Sequence, residues 1–114
     1  MKLIYVVEPH ADTAILETDL LQDAGFAVRV VSPDDAGIAI EAGVAGLLLV
    51  TAGPRDGTAA TRLLAKTNVA NVPVIVTTTG PTDLARWKSA VAVLLKPFSF
   101  EELVARVRAH FAAE

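Results

Sequence analysis

The sequence predicts an α/β fold, a parallel β-sheet held between two layers of helices. Three observations predict it. Short apolar runs alternate with stretches of helical period from one end of the chain to the other. The runs are continuously apolar and rich in β-branched residues, as in strands covered on both faces. The 114 residues are 53% hydrophobic and include no cysteine, so a single domain can fill its core without disulfide staples.

The elements follow in order. Leu3–Val7 reads as the first strand. Asp12–Ala24 reads as a helix with Leu16, Leu20, Leu21 and Ala24 on its inner face, ended by Gly25. Phe26–Val31 is a second strand, and Ser32-Pro33-Asp34-Asp35 a turn and cap. A short helix over Ala36–Ala42 follows, weakened by Gly37. Leu47–Val50 is the third strand, and Gly53–Gly57 a loop. Thr58–Lys66 is a helix with Ala60, Leu63 and Leu64 inward. Val72–Val76 is the fourth strand, entered through Pro73, and Thr77–Pro81 a polar loop. Thr82–Ala90 reads as a short fourth helix carrying Trp87, and Val91–Leu95 as the fifth strand. The last helix opens on a capping box of Ser99 and Glu102, with Phe100, Leu103, Val104, Val107 and Phe111 at helical spacing.

Five strands alternating with five helices imply right-handed crossovers and the flavodoxin-like strand order 2-1-3-4-5, with residues 1–114 forming one domain. In such a sheet a site lies where the carboxyl ends of the strands converge. Here those ends are Glu8, Thr51, Thr77-Thr78 and Lys96.

Composition removes several classes of function. Without cysteine there is no thiol nucleophile and no thiolate metal site. The net charge is −3 with both signs interspersed, so no basic stripe marks a nucleic-acid surface. The start Met1–Glu8 turns acidic too early for a signal peptide. The longest apolar run, Val44–Val50, is far shorter than the ~20 residues of a membrane span. A cytoplasmic, membrane-free protein is the expectation.

Five signals in fixed order carry a family likeness. They are Val6-Val7-Glu8-Pro9-His10; the spacing from Glu8 to Gly25-Phe26; Asp56-Gly57; Val72-Pro73-Val74-Ile75-Val76-Thr77-Thr78; and Lys96-Pro97-Phe98-Ser99-Phe100-Glu101-Glu102-Leu103. Over its whole length the chain resembles the receiver domain of bacterial response regulators, the CheY-like modules of two-component phosphorelay signalling. The resemblance implies a pocket in which two acids after the first strand hold magnesium and an aspartate ending the third strand accepts a phosphoryl group. A hydroxyl residue after the fourth strand and the Lys of a Lys-Pro pair then contact that group.

The chain departs from this pattern where the chemistry lies. Glu8 keeps the first acid, and Pro9 replaces the second. The acceptor position falls on Thr51, or on Val50 or Leu49 in alternative alignments, and none is a carboxylate. No magnesium site is expected from Glu8 alone, and Thr51 is read as having no neighbouring base. The usual aromatic switch position falls on Val93. Thr78 and Lys96 persist; structural roles are expected of them, with Lys96 pairing Glu8 across the vacated pocket.

The expected function is that of a pseudo-receiver, a non-enzymatic signalling module acting by protein contact without cofactor or metal. Its partner face would be the fourth helix, fifth strand and last helix, which carry Trp87, Val93 and Arg106 with Arg86 and Arg108. A homodimer through the same face is a further expectation. Two other readings stand beside it. Thr77-Thr78-Thr79-Gly80-Pro81-Thr82 is similar to the phosphate loop of flavodoxins and could hold an anion or nucleotide. Asp12 or Asp56 could replace the missing acceptor, against ordinary roles as helix-capping acids. His10, a lone loop histidine, reads as a surface residue rather than a metal ligand.

Overall fold

The computed structural model describes residues 3–43, 46–52, 57–79, 90, 92–96 and 99–112. Five strands form one parallel sheet: β1 (Leu3–Val7), β2 (Ala27–Val30), β3 (Leu47–Ala52), β4 (Val74–Thr79) and β5 (Ala92–Lys96). Their order is β2-β1-β3-β4-β5, the doubly wound, flavodoxin-like arrangement that the alternating pattern predicts. The described helices are α1 (Ala11–Asp23), α2 (Pro33–Glu41), α3 (Gly57–Ala70) and the last helix, α4 (Phe100–Ala112). The segment read as a fourth helix, 82–90, lies outside the described residues except for Ala90.

Alternation along each strand sends side chains to two cores. Val7, Leu48, Val50, Val74 and Val76 pack with Ala36, Ala39 and Ile40 of α2 and Leu63 and Leu64 of α3. Ile4, Val6, Leu49, Ile75 and Leu94 pack with Leu21 of α1 and Leu103 and Val107 of α4. A sheet covered on both sides explains why the strands read as unbroken apolar runs.

Helix ends follow local chemistry. Ser32 caps α2, its hydroxyl accepting the Asp35 N–H at 3.1 Å, with Pro33 in the first turn. The helix therefore starts at Pro33, where the sequence had pointed to a turn. Ser99 caps α4 in the same way, accepting the Glu102 N–H at 3.0 Å. Helix α3 runs one turn beyond Lys66 to Ala70 and stops at Asn71, whose φ is 58°. The Val72 N–H returns to the Thr67 carbonyl at 2.9 Å, a bond of the Schellman kind. Gly25, at φ 99°, makes the corresponding turn after α1.

Three expectations need correction. Helix α1 buries Ala14, Glu17 and Leu21, and leaves Leu16 51% exposed. Phe100 stands at the rim of α4, 38% exposed, instead of in the core. Thr77, Thr78 and Thr79 extend β4 by pairing with Thr51, Ala52 and Lys96, so they are strand and not loop.

Candidate functional site

The site is built where β1, β3 and β4 end. Register sets Val7 beside Val50, and Thr51 beside Thr77. Val7, Val50 and Val76 belong to the core under α2 and α3. One residue further along each strand the pleat reverses, and Glu8, Thr51 and Thr77 come to the face shared with α1 and α4. There they form a hydrogen-bonded chain. The Thr51 hydroxyl donates to Glu8 Oε1 at 2.7 Å, and its oxygen lies 2.9 Å from Thr77 Oγ1. Thr51 has one hydroxyl proton and gives it to Glu8, so Thr77 donates to Thr51.

Glu8 is 8% exposed and Thr77 is fully buried. Oε2 of Glu8 accepts the backbone N–H of His10 at 3.2 Å. His10 is the N-cap of α1 and makes no side-chain cap bond. Glu8 thus ties down the entry of α1 with a negative charge at the helix N-terminus, where it is favourable. His10 itself is exposed, as a surface residue should be.

The structure brings together Glu8, Thr51 and Thr77. Leu49 and Val50, the alternative acceptor positions, pair with Val6 and Val7, which leaves Thr51 as the β3 residue bonded to Glu8. Thr78 is buried one step along β4 from Thr77, beside Ala52, and it is Thr77 that reaches Thr51. Two adjacent threonines cannot both face one pocket from a strand, and strand parity was the signal that would have chosen Thr77. Pro9 is exposed between Glu8 and His10. Lys96 ends β5 opposite Thr79, and its side chain, with Pro97, lies outside the described residues.

Thr51 does have a neighbouring carboxylate, contrary to the sequence expectation. The contact does not by itself make a nucleophile. The Thr51 oxygen also accepts the Thr77 proton, which draws electron density from the atom that would attack. Among the described residues no three His, Cys, Asp or Glu side chains converge as a metal site would require. Asp12 is exposed in the first turn of α1, and Asp56 lies outside the described residues. Of the loop read as an anion site, Thr77 is committed to Thr51, and 80–82 lie outside the described residues.

On the expected partner face, Val93 is half-buried and Arg106 and Arg108 are exposed. Arg86 and Trp87 lie outside the described residues. No helix among the described residues is long and apolar enough to cross a membrane.

The chain matches no protein-family model, and no curated protein matches it in sequence. Its fold is similar to solved receiver structures. A response regulator receiver protein from Sinorhizobium medicae WSM419 superposes with a TM-score of 0.79 at 21% identity, covering 98% of this chain and 95% of that one. A CheY-like receiver domain protein from Methanospirillum hungatei JF-1 gives 0.78 at 19% identity, covering 98% and 95%. A receiver-modulated diguanylate cyclase from Pelobacter carbinolicus gives 0.79 at 20% identity, covering 99% and 94%. At these identities the likeness establishes the receiver fold, and function must be argued from the site.

Proposed function

We propose that this chain is a pseudo-receiver: a receiver-fold signalling module that acts by protein–protein contact and is not phosphorylated at an aspartate. The observation that carries the reading is the hydrogen bond from Thr51 to Glu8 at the end of β3. Aspartyl phosphorylation needs a carboxylate at the acceptor and a cluster of acids to hold a divalent cation against the phosphoryl oxygens. In this chain a hydroxyl takes the acceptor's place, a proline follows Glu8, and the remaining acid is engaged by Thr51 and by the His10 backbone. A pocket closed in this way holds one conformation, so the module presents a constant surface to its partner.

The partner surface we assign is the face of the last helix and β5. Arg106 and Arg108 give it exposed cations. Signalling partners with an acidic surface fit this composition.

Incubation with magnesium and a small phosphodonor, read by intact mass, tests the reading. No phosphoryl adduct is expected. An adduct mapped to Asp12 or Asp56 would overturn it in favour of a substitute acceptor.

A further inference from the structure

Helices α2 and α3 form a face whose charges are sorted by helix. Every charged residue of α2 is acidic: Asp34, Asp35 and Glu41. Every charged residue of α3 is basic: Arg62 and Lys66. The two helices lie side by side over the same core and run in the same direction. Asp34 and Gly37 share one recess with Arg62 and Lys66, and Ile40 and Glu41 share the next with Lys66 and Val69.

The second recess is an apolar groove of about 500 Å³, with Ile40, Ala65, Val69 and Ala70 in its lining. Val69 is 86% exposed beside it, and Ile38 on α2 is 64% exposed. Lys66 crosses between the helices to Glu41 at 2.8 Å, through side chains that are themselves 45% and 65% exposed. A pair that open to water holds weakly and can be redirected to a closer-fitting partner.

We propose that this face docks a second copy of the chain, about a two-fold axis that runs along the groove, parallel to the helices. The charge pattern selects this occupant and this axis. Two parallel helices can meet their own copy face to face about either of two such axes. An axis across the helices lays α2 on α2 and α3 on α3, acid on acid and base on base. An axis along them lays each α2 on the other copy's α3, opposing unlike charges twice. A partner of one charge sign would meet attraction from one helix and repulsion from its neighbour. The axis along the groove also lays Val69 of each copy against the other copy's α2, removing the most exposed large apolar group of the described residues from water.

Sedimentation equilibrium on the intact chain, combined with cysteine cross-linking, tests the proposal. The chain contains no cysteine, so Val69→Cys introduces a single thiol. A reversible dimer is expected, weakened by salt, and a bismaleimide that spans the groove should link the Val69→Cys protein covalently. Arg62→Glu with Lys66→Glu should weaken self-association by roughly tenfold or more. Asp34→Lys with Glu41→Lys should do the same, and mixing the two double variants should restore a heterodimer. Circular dichroism of each variant shows that it has folded. A monomer at on the order of 1 mM overturns the proposal. So does a dimer that charge reversal on α3 leaves intact, or one that Arg106→Glu disrupts instead. None of these outcomes bears on phosphorylation, so the dimer and the proposed function fail separately.

Discussion

Thr51 is the residue on which the site turns. Its hydroxyl is a donor to Glu8 at 2.7 Å and an acceptor from Thr77 at 2.9 Å. Valine has nearly the same shape and can do neither. Thr51→Val therefore removes one hydrogen bond from the Glu8 carboxylate and one from the buried Thr77 hydroxyl. Such a loss costs about 1–3 kcal/mol, and urea unfolding should show it as a lower midpoint with an unchanged slope. Which residue faces Glu8 was legible in the sequence only to within three positions. Strand register settles it, because Leu49 pairs with Val6 and Val50 with Val7, so that Thr51 is the residue level with Glu8. Strand parity separates Thr77 from Thr78, a distinction that family likeness alone did not draw.

At the scale of elements, the strands were legible and one helix face was not. Unbroken apolar runs mark strands covered on both sides, and β1 has the bounds its run predicts. Helix α1 offers two apolar pairs, Ile15-Leu16 and Leu20-Leu21. A reading by hydropathy favours Leu16 and excludes Glu17, yet the sheet takes the stripe of Ala14, Glu17 and Leu21. Burial of a small residue and an acid beside Leu21 is a matter of packing that a hydropathy pattern does not weigh. The two leucines should respond to truncation accordingly. Leu21→Ala, at a position with no exposed surface, should cost about 2–5 kcal/mol, whereas Leu16→Ala should stay within about 0.5 kcal/mol. Paired denaturation curves check the contrast, and equal losses would mean that α1 is rotated.

Gly37 gives a second test at this scale. It lies inside α2 where Lys66 passes over it, and an added Cβ would sit 3.1 Å from Lys66 Nζ. That neighbour is the far end of a flexible, half-exposed side chain whose pair with Glu41 is worth at most about 1 kcal/mol. Alanine in a helix interior gains about 1 kcal/mol over glycine. Gly37→Ala should therefore be neutral to stabilising by up to about 1 kcal/mol in thermal or chemical unfolding. A loss above that range would show that Lys66 is held rigidly over α2.

The whole molecule combines a receiver fold with a hydrogen-bonded chain of Glu8, Thr51 and Thr77 at the carboxyl ends of its strands. The strand order was legible because alternation of strand and helix leaves few right-handed solutions. The site was legible in part: Glu8 and Thr51 stand out as strand ends in the sequence, and three-dimensional register is needed to find the hydroxyl chain that joins them to Thr77. If that chain closes the pocket, the protein should not respond to the small ions that activate a receiver by imitating its phosphoryl group. The most direct measurement is an amide NMR spectrum of the uniformly 15N-labelled protein, recorded with and without magnesium and beryllofluoride. Superimposable spectra are expected, with the amides of Glu8, Thr51 and Thr77 unmoved. Saturable shifts centred on those three residues would contradict a closed pocket.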